Sequence, residues 1–561
     1  MNTPIIRITD VSFTYRNRTQ PAINALSVDL HAGSITAIIG KAGAGKSTLC
    51  ALLAGFMPQF FRGNISGDIS IDGRDPCTSR IIEMLPHVTM VTSQASTQIS
   101  GVCFTVAEEV GFALQNLGYP VSDITQRVTR ALALMDISHL AERSPFQLSG
   151  GQQQRVVIAA ALALSPPILI LDEPTAQLDP PAVAALGATL QQLARHGQTI
   201  VVAEHHLDWV GQFAERVLVL KEGRLHTDGA PDVILADPAQ ADGSAYCVRY
   251  SAFVRQHGLW PKEIALAITP DVICQHIRVD VTPSPQMPAT PRVGAALLHI
   301  DDVHFSYPNG VAVLHGITLH IQHGERIALL GRNGAGKSTL LRHFNGLLRP
   351  QTGRVALAGR DISKTAPGIS ARHASIVFQD VRNQLFAATI RDEVSFGPRT
   401  LGLAQTEISR RVDAALAVCG LSHLADTHPY DVPVAQRRLV ATAAVMALES
   451  DLVALDEPTA GLDEANITQL VGAMQHCHAH QRTVVLVSHD LNFCAAHTDR
   501  IILIKAGKVA IDTRWDALDA SQIALLDDEV GLPLGFHVAQ HRGVTPGTPL
   551  HQLLCDPQAL V

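Results

Sequence analysis

The segment Gly40-Lys-Ala-Gly-Ala-Gly45-Lys46-Ser47 constrains the fold more than any other, because it occurs twice. It returns as Gly331-Arg-Asn-Gly-Ala-Gly336-Lys337-Ser338. Both copies match G-x-x-x-x-G-K-[ST], in which the glycines (Gly40, Gly43 and Gly45; Gly331, Gly334 and Gly336) let successive backbone N–H groups turn inward. Apolar runs, Ser34-Ile-Thr-Ala-Ile-Ile39 and Arg326-Ile-Ala-Leu-Leu330, lead into the loops as strands, and Thr48-Leu and Thr339-Leu open helices behind them. Loop and helix N-terminus together present partial positive charge to phosphate oxygens. Lys46 and Lys337 are expected to reach the β- and γ-phosphates of a nucleotide, with Thr48 and Thr339 beside them. Ser47 and Ser338 are expected to ligate Mg²⁺.

The repeat extends well beyond the loops. Val11-Ser-Phe-Thr-Tyr15 recurs as Val303-His-Phe-Ser-Tyr307, and Ile168-Leu-Ile-Leu-Asp172-Glu173-Pro-Thr recurs as Leu452-Val-Ala-Leu-Asp456-Glu457-Pro-Thr. A chain of 561 residues is too long for one core. Each copy alternates short apolar strands with helical stretches, which implies an α/β domain around a largely parallel sheet. The expected division is a first domain over 1–232, a linker over 233–296, a second domain over 297–515 and a tail over 516–561. Thr282-Pro-Ser-Pro-Gln-Met-Pro-Ala-Thr-Pro291 makes the end of the linker an extended spacer. Helical apolar spacing from Tyr246 to Ile277 suggests packing against the first domain. The tail has a similar character, and neither stretch reveals a role.

Composition excludes several classes. A net charge of −8 argues against broad nucleic-acid binding, which needs a basic face. The nine cysteines are scattered without a C-x-x-C pair, which points to reduced thiols and to no zinc or iron–sulfur site. The N-terminus lacks a basic segment followed by an apolar core, so no export signal is expected. The most apolar run, Val156 to Leu171, is split by Ser165-Pro166-Pro167 and reads as a buried helix followed by a buried strand. Membrane association must then come through a partner. His476-Cys477-His478-Ala-His480 reads as a solvated helix end, and Glu204-His205-His206 is no metal site on spacing alone.

Asp172 and Asp456, each at the tip of an apolar strand, suit the orientation of Mg²⁺ through its waters. Glu173 and Glu457 sit where a general base could polarise an attacking water. Thr199-Ile-Val-Val-Ala-Glu-His205 and Thr483-Val-Val-Leu-Val-Ser-His489 each end a strand in a histidine, whose neutral ring could contact a γ-phosphate.

This order of motifs resembles the ATP-binding cassette ATPases over nearly the whole chain except linker and tail. Leu148-Ser149-Gly150-Gly151-Gln152 is identical to that family's signature, and Gln94 and Gln379 match its Q-loop glutamine. Ala176-Gln-Leu-Asp179 and Ala460-Gly-Leu-Asp463 match its D-loops, and Tyr15 and Tyr307 match the aromatic that stacks on adenine. The resemblance implies an α/β fold of two tandem RecA-like P-loop nucleotide-binding domains. Each would carry a helical signature subdomain and an antiparallel β subdomain, with ATP and Mg²⁺ as cofactors. It also implies head-to-tail pairing, so that each nucleotide lies between one domain's phosphate loop and the other's signature.

The second signature departs from the family. Aligning Pro145 with Pro429 sets Leu148–Gln152 against Val432-Pro433-Val434-Ala435-Gln436, with the serine and both glycines lost. Proline removes an N–H and valine adds bulk, so this half-site should bind phosphate poorly. Under crosswise pairing, the loop of Lys337 faces the intact signature and turns over, while the loop of Lys46 mainly holds nucleotide.

The stretch Val377-Phe-Gln379-Asp-Val-Arg-Asn383-Gln384-Leu385-Phe386, with Asp392-Glu393-Val-Ser-Phe-Gly397-Pro398, resembles the ATPases of energy-coupling factor transporters and related cobalt importers. By composition alone Leu385-Phe386 suits core packing equally well. The resemblance implies docking of a coupling helix from a membrane subunit. It further implies a transmembrane scaffold and a membrane substrate-binding protein as partners, no direct nucleic acid, a vitamin or metal ion as cargo, and a peripheral position on the cytoplasmic face of the membrane. The rival is a soluble tandem ATPase acting on ribosomes or nucleic acid. The Pro-rich, weakly charged linker and the acidic balance disfavour it.

Overall fold

The strand that leads into each phosphate loop lies inside a six-stranded sheet, and the rest of each half is built around it. The computed structural model describes residues 4–277, 295–544 and 554–555, apart from 17, 242, 244, 258, 262, 263, 309 and 364. The Pro-rich spacer over 282–291 lies outside the described residues. The chain divides into two compact units, Met1–Val248 with Ile264–Val272, and Arg249–Glu263 with Ile273–Val561. The stretch expected to pack on the first domain is therefore divided: Ile264–Val272 belongs to the first unit and Arg249–Glu263 to the second.

In the first unit the strand order is Val88–Val91, Ile168–Asp172, Thr199–Ala203, Ile35–Ile39, Arg216–Lys221 and Arg224–Gly229. The first five are parallel and the last is antiparallel. Every residue of Ile35–Ile39, Ile168–Asp172 and Thr199–Ala203 is buried, as a parallel sheet covered on both faces requires. A separate antiparallel sheet pairs Ile23–Leu30, Ile6–Tyr15 and Gly63–Ile71. The helices Val106–Asn116, Val121–Leu134 and Gly150–Leu164 form the third part.

The second unit repeats this plan. Its six-stranded sheet runs Ala374–Val377, Leu452–Asp456, Thr483–Val487, Arg326–Leu330, Arg500–Lys505 and Lys508–Arg514. Its antiparallel sheet is built on Ala296–Ser306 and Ala312–Gln322, and its helical part is Ile390–Thr400, Gln405–Val418 and Val434–Leu448. Each fully buried Val, Leu or Ile of these strands contributes about 1.5–3 kcal/mol, so the sheets are rigid platforms for the loops at their C-terminal edges.

The tail forms helices Ala520–Val530 and Leu534–His541 within the second unit. Leu526, Phe536 and Val538 are buried, and the Phe536 ring lies 5.9 Å from that of Trp515. Leu534 N–H donates to Asn492 Oδ1 at 2.7 Å. Among the described residues no helix is long and apolar enough to cross a membrane, and no disulfide joins the cysteines.

Candidate functional site

Both phosphate loops have the backbone that their glycines require. Gly40 and Gly331 have φ of 142° and 149°, and a Cβ there would lie 2.2 Å from Leu220 O and 2.4 Å from Ile504 O. Only glycine fits such a close approach. Gly45 and Gly336, at φ 105° and 104°, cap the helices Lys46–Leu53 and Lys337–Phe344, while Gly43 and Gly334 supply the intervening left-handed turns. The helix start thus directs its unpaired N–H groups into the loop.

The charged side chains converge on these loops. Lys46 Nζ donates to Gly40 O at 2.8 Å and Lys41 O at 3.2 Å, and Lys337 Nζ donates to Gly331 O and, at 3.1 Å, to Arg332 O. Ser47 Oγ donates to Asp172 Oδ1 at 3.1 Å, and Ser338 makes the same bond to Asp456. Burial, then the neighbouring Glu173 or Glu457, pushes each of these aspartates up to about 6. A buried carboxylate with a neighbouring carboxylate and a hydroxyl ligand is chemically suited to a hard divalent cation. Ser47 with Asp172, and Ser338 with Asp456, therefore fit Mg²⁺.

Glu173 and Glu457 share an unusual backbone. Both lie in the left-handed region, at φ 50° and 51°, and both donate their N–H to the adjoining strand, to Ala203 O at 2.9 Å and Val487 O at 2.8 Å. For a residue with a side chain such a conformation costs on the order of 1 kcal/mol or more and turns the carboxylate out of the strand. His205 Nε2 lies 3.3 Å from Glu173 Oε1, and His489 Nε2 lies 3.4 Å from Glu457 Oε1. Burial pushes Glu457 up to about 7, with Lys337 and the His489 amide acting in the opposite sense. Tyr15 and Tyr307 hydroxyls pair with Thr48 and Thr339 Oγ1 at 3.0 and 3.1 Å, which fixes the rings beside the helices that follow the loops.

A family model described as ABC transporter matches residues 23–176 and 314–460, more than half of the chain. The chain belongs to the ABC transporter family. A protein of Methanosarcina acetivorans, assigned provisionally as an ABC transporter ATP-binding protein, is 32% identical over 91% of this chain and 86% of its own length. A similarly assigned protein of Vibrio vulnificus is 30% identical over 93% of this chain and 92% of its own. Among solved structures, the chain is similar to cbiO1 from Clostridium perfringens, described as part of the ABC transporter complex cbiONQ. That likeness has 32% identity, covers 42% of this chain and 95% of that one, and has a TM-score of 0.37.

The two cassettes differ at their signature helices. In the first cassette, Ser149 caps Gly150–Leu164 by a reciprocal box: Ser149 Oγ accepts from Gln152 N at 3.4 Å, and Gln152 Oε1 accepts from Ser149 N at 3.0 Å. A Cβ at Gly150 would lie 2.5 Å from Gln177 Oε1, so a side chain there would displace the end of Gln177. In the second cassette, Pro433 caps a helix of equal length, Val434–Leu448, without a side-chain bond, and Val434 is exposed. Both helices end in a left-handed residue, Ser165 and Glu449, so Pro433 and Val434 occupy the positions of Ser149 and Gly150 without a slip.

A second difference lies beside Glu173 and Glu457, outside the repeated motifs. Glu204, almost fully buried, stands where the second cassette has Ser488. Its carboxylate accepts from Thr175 N and Oγ1 at 3.2 and 2.7 Å, and from the amides of His205 and His206 at 3.0 and 3.4 Å. In the second cassette the corresponding His489 amide instead donates to Glu457 Oε2 at 3.1 Å, and His489 Nε2 lies 3.1 Å from Asn333 Oδ1 in the phosphate loop. The amide that steadies Glu457 is thus given to Glu204 in the first cassette. Setting Glu204-His205-His206 against Ser488-His489-Asp490 is the signal that finds it.

The loops after the strands Val88–Val91 and Ala374–Val377 hold Gln94 and Gln379. Gln98 and Gln384 staple them identically, each accepting from the amide at the strand's end and donating to a strand carbonyl. Glu109 accepts from Ser100 N and Oγ, and Glu393 accepts from the amides of Phe386 and Ala387, both at 2.8 Å. These buried carboxylates fix loops whose apolar side chains face water: Phe104 is 83% exposed and Phe386 is 64% exposed, while Leu385 is buried.

Proposed function

We propose that this chain is the ATP-hydrolysing subunit of a membrane importer of the energy-coupling factor type, with a vitamin or metal ion as cargo. It would work from the cytoplasmic face of the membrane with a transmembrane scaffold and a membrane substrate-binding subunit. The observation that carries the transport reading is the exposed aromatic on the stapled loop after the Q-loop glutamine in each cassette. An exposed Phe on a rigid loop is suited to an apolar partner helix. Co-purification from detergent-solubilised membranes tests it. Recovery with ribosomes and without any integral membrane protein would favour the soluble alternative instead.

In the reaction, the loop amides with Lys46 or Lys337 bind the β- and γ-phosphates, and Tyr15 or Tyr307 stacks on adenine. Bound Mg²⁺, held by Ser47 and Asp172 or by Ser338 and Asp456, neutralises charge on the phosphates. Glu457 accepts a hydrogen bond from the attacking water and His489 orients on the γ-phosphate, with Gln379 closing the site; Glu173, His205 and Gln94 are the counterparts. Crosswise pairing would bring Ser149, Gly150, Gly151 and Gln152 to the nucleotide on Lys337, and the Pro433–Ala435 segment to the nucleotide on Lys46. Glu204 acts in the same sense, because it takes the amide that Glu457 uses in the other cassette. Hydrolysis is therefore asymmetric. Glu457→Gln should abolish turnover of the assembled transporter, and Glu173→Gln should leave most of it; equal losses would refute the asymmetry.

A further inference from the structure

The second signature segment has lost the serine and glycines but has gained polar contacts that the first lacks. Tyr430 Oη lies 3.1 Å from Arg382 O and 3.2 Å from Leu385 O, placed to donate to the loop that carries Phe386. Arg437 packs over the Tyr430 ring at 5.0 Å and donates to Tyr430 O at 2.7 Å, which fixes the ring. Arg438 donates through one nitrogen to Glu457 O and through another to Gln379 O at 3.4 Å. One guanidinium thus joins the backbone of the Q-loop to the backbone of the residue next to the Mg²⁺ aspartate.

The first cassette is an internal control. Its 3₁₀ turn Pro145–Gln147 and helix Gly150–Leu164 correspond to Pro429–Asp431 and Val434–Leu448, so Phe146 takes the place of Tyr430 and Gln154 that of Arg438. Phe146 has no hydroxyl and is 61% exposed. Gln154 is 1% exposed, and among the described residues neither of its amide atoms has a hydrogen-bond partner. Gln153, in place of Arg437, donates to Pro145 O at 3.1 Å, within its own segment. Ties to the loop through a tyrosine hydroxyl and a guanidinium are thus seen in the second cassette, where the first has Phe146 and Gln154.

We propose that in the second cassette the segment Pro429–Arg438 serves as a strut between the loop Gln379–Phe386 and Glu457, with Tyr430 and Arg438 as positioning residues for hydrolysis at that site. A fork that bonds two carbonyls at once holds them at a fixed separation, which a single flexible donor does not do. A displacement of the loop at Phe386 is then passed to Glu457 through Arg438. The role in hydrolysis rests on the reading of Glu457 as the carboxylate that polarises water; the strut itself does not.

Tyr430→Phe and Arg438→Gln each install the first cassette's side chain. Hydrogen–deuterium exchange of the purified full chain should show amides of 379–387 exchanging about fivefold faster or more in both variants, the loss of roughly one hydrogen bond each. Steady-state ATPase should show Arg438→Gln lowering kcat about tenfold with the KM for Mg·ATP within about twofold, and Arg438→Lys recovering part of both readouts. Unchanged exchange over 379–387 in both variants would overturn the strut, whatever the ATPase does. Faster exchange with unchanged kcat would overturn the positioning role. Retained hydrolysis in Glu457→Gln would instead locate the failure in the assignment of Glu457. Tyr430→Phe removes a single oxygen, so a folded variant is available even if Arg438→Gln does not fold.

Discussion

Arg332, the residue after Gly331, ties the second phosphate loop to the tail. Its guanidinium donates to Asp528 O at 2.6 Å and Glu529 O at 3.1 Å, the last carbonyls of helix Ala520–Val530, where the helix dipole favours a cation. Its Nε lies 3.4 Å from Glu529 Oε2, a carboxylate 8% exposed whose other oxygen lies 2.7 Å from Lys505 Nζ. A buried charge-assisted bond contributes roughly 1.5–3 kcal/mol. The guanidinium is 52% exposed, however, and exposed pairs keep no more than about 1 kcal/mol. Arg332→Ala should therefore cost the docking of this helix about 1–2 kcal/mol. Native-state hydrogen exchange reads that loss locally: amides of 520–541 should lose about 5–30-fold of their protection, while the first cassette is unaffected. Arg332→Lys keeps the charge without the planar fork and should fall between. The neighbouring Asn333 contacts His489, so Mg·ATP should in turn raise protection of the tail in the wild-type chain. Unchanged exchange over 520–541 in Arg332→Ala would refute the reasoning.

Gly331→Ala places a Cβ 2.4 Å from Ile504 O at φ 149°; it should cost at least about 2 kcal/mol and abolish ATP binding at that loop, checked by calorimetric titration and thermal melting. Glu204→Ser copies Ser488 and releases the His205 amide; single-turnover hydrolysis in a Glu457→Gln background should rise several-fold, about 1 kcal/mol of barrier, and an unchanged rate would remove Glu204 from the account. Ser149→Ala removes the helix cap and should destabilise the first cassette by about 1 kcal/mol, whereas Pro433→Ser should stabilise the second, both read from urea midpoints. His497, packed on Phe493, is pushed from 6.5 down to about 4 by burial and then by Arg326 and Arg249. The unfolded chain therefore binds more protons between those values. The stabilisation is full above about pH 6.5 and is lost as the pH falls toward 4, by up to about 3 kcal/mol. His497→Gln should flatten that acid limb of the second unit's stability.

The parts of the site legible in the sequence are those whose chemistry is written in consecutive residues. Gly40–Ser47, the Asp172-Glu173 pair and the strand-ending His205 each combine a spacing with a backbone demand, and the repeat supplies a second reading of each. The buried helix and strand on either side of Ser165-Pro166-Pro167 are equally local, and they are observed as Gly150–Leu164 and Ile168–Asp172. What escaped depends on residues distant in the chain. Arg438 meets Gln379, Tyr430 meets Leu385 and Arg332 meets Glu529 only after the sheet and helices have assembled. The division of Tyr246–Ile277 between the units is of this kind too, since apolar spacing gives a helix a face without naming what covers it.

Glu204 and Pro433 lie on different elements of different cassettes, yet in the crosswise reading both bear on the nucleotide held by Lys46. Neither reversion alone would rebuild that site: a serine at 433 would leave the His205 amide committed to Glu204, and a serine at 204 would leave proline and valine against the phosphate. Each reversion would recover only part of the activity, and a fully working second site would need both. The inequality of the two cassettes thus rests on more than one position, and the fusion into one chain ensures that every molecule carries both differences together.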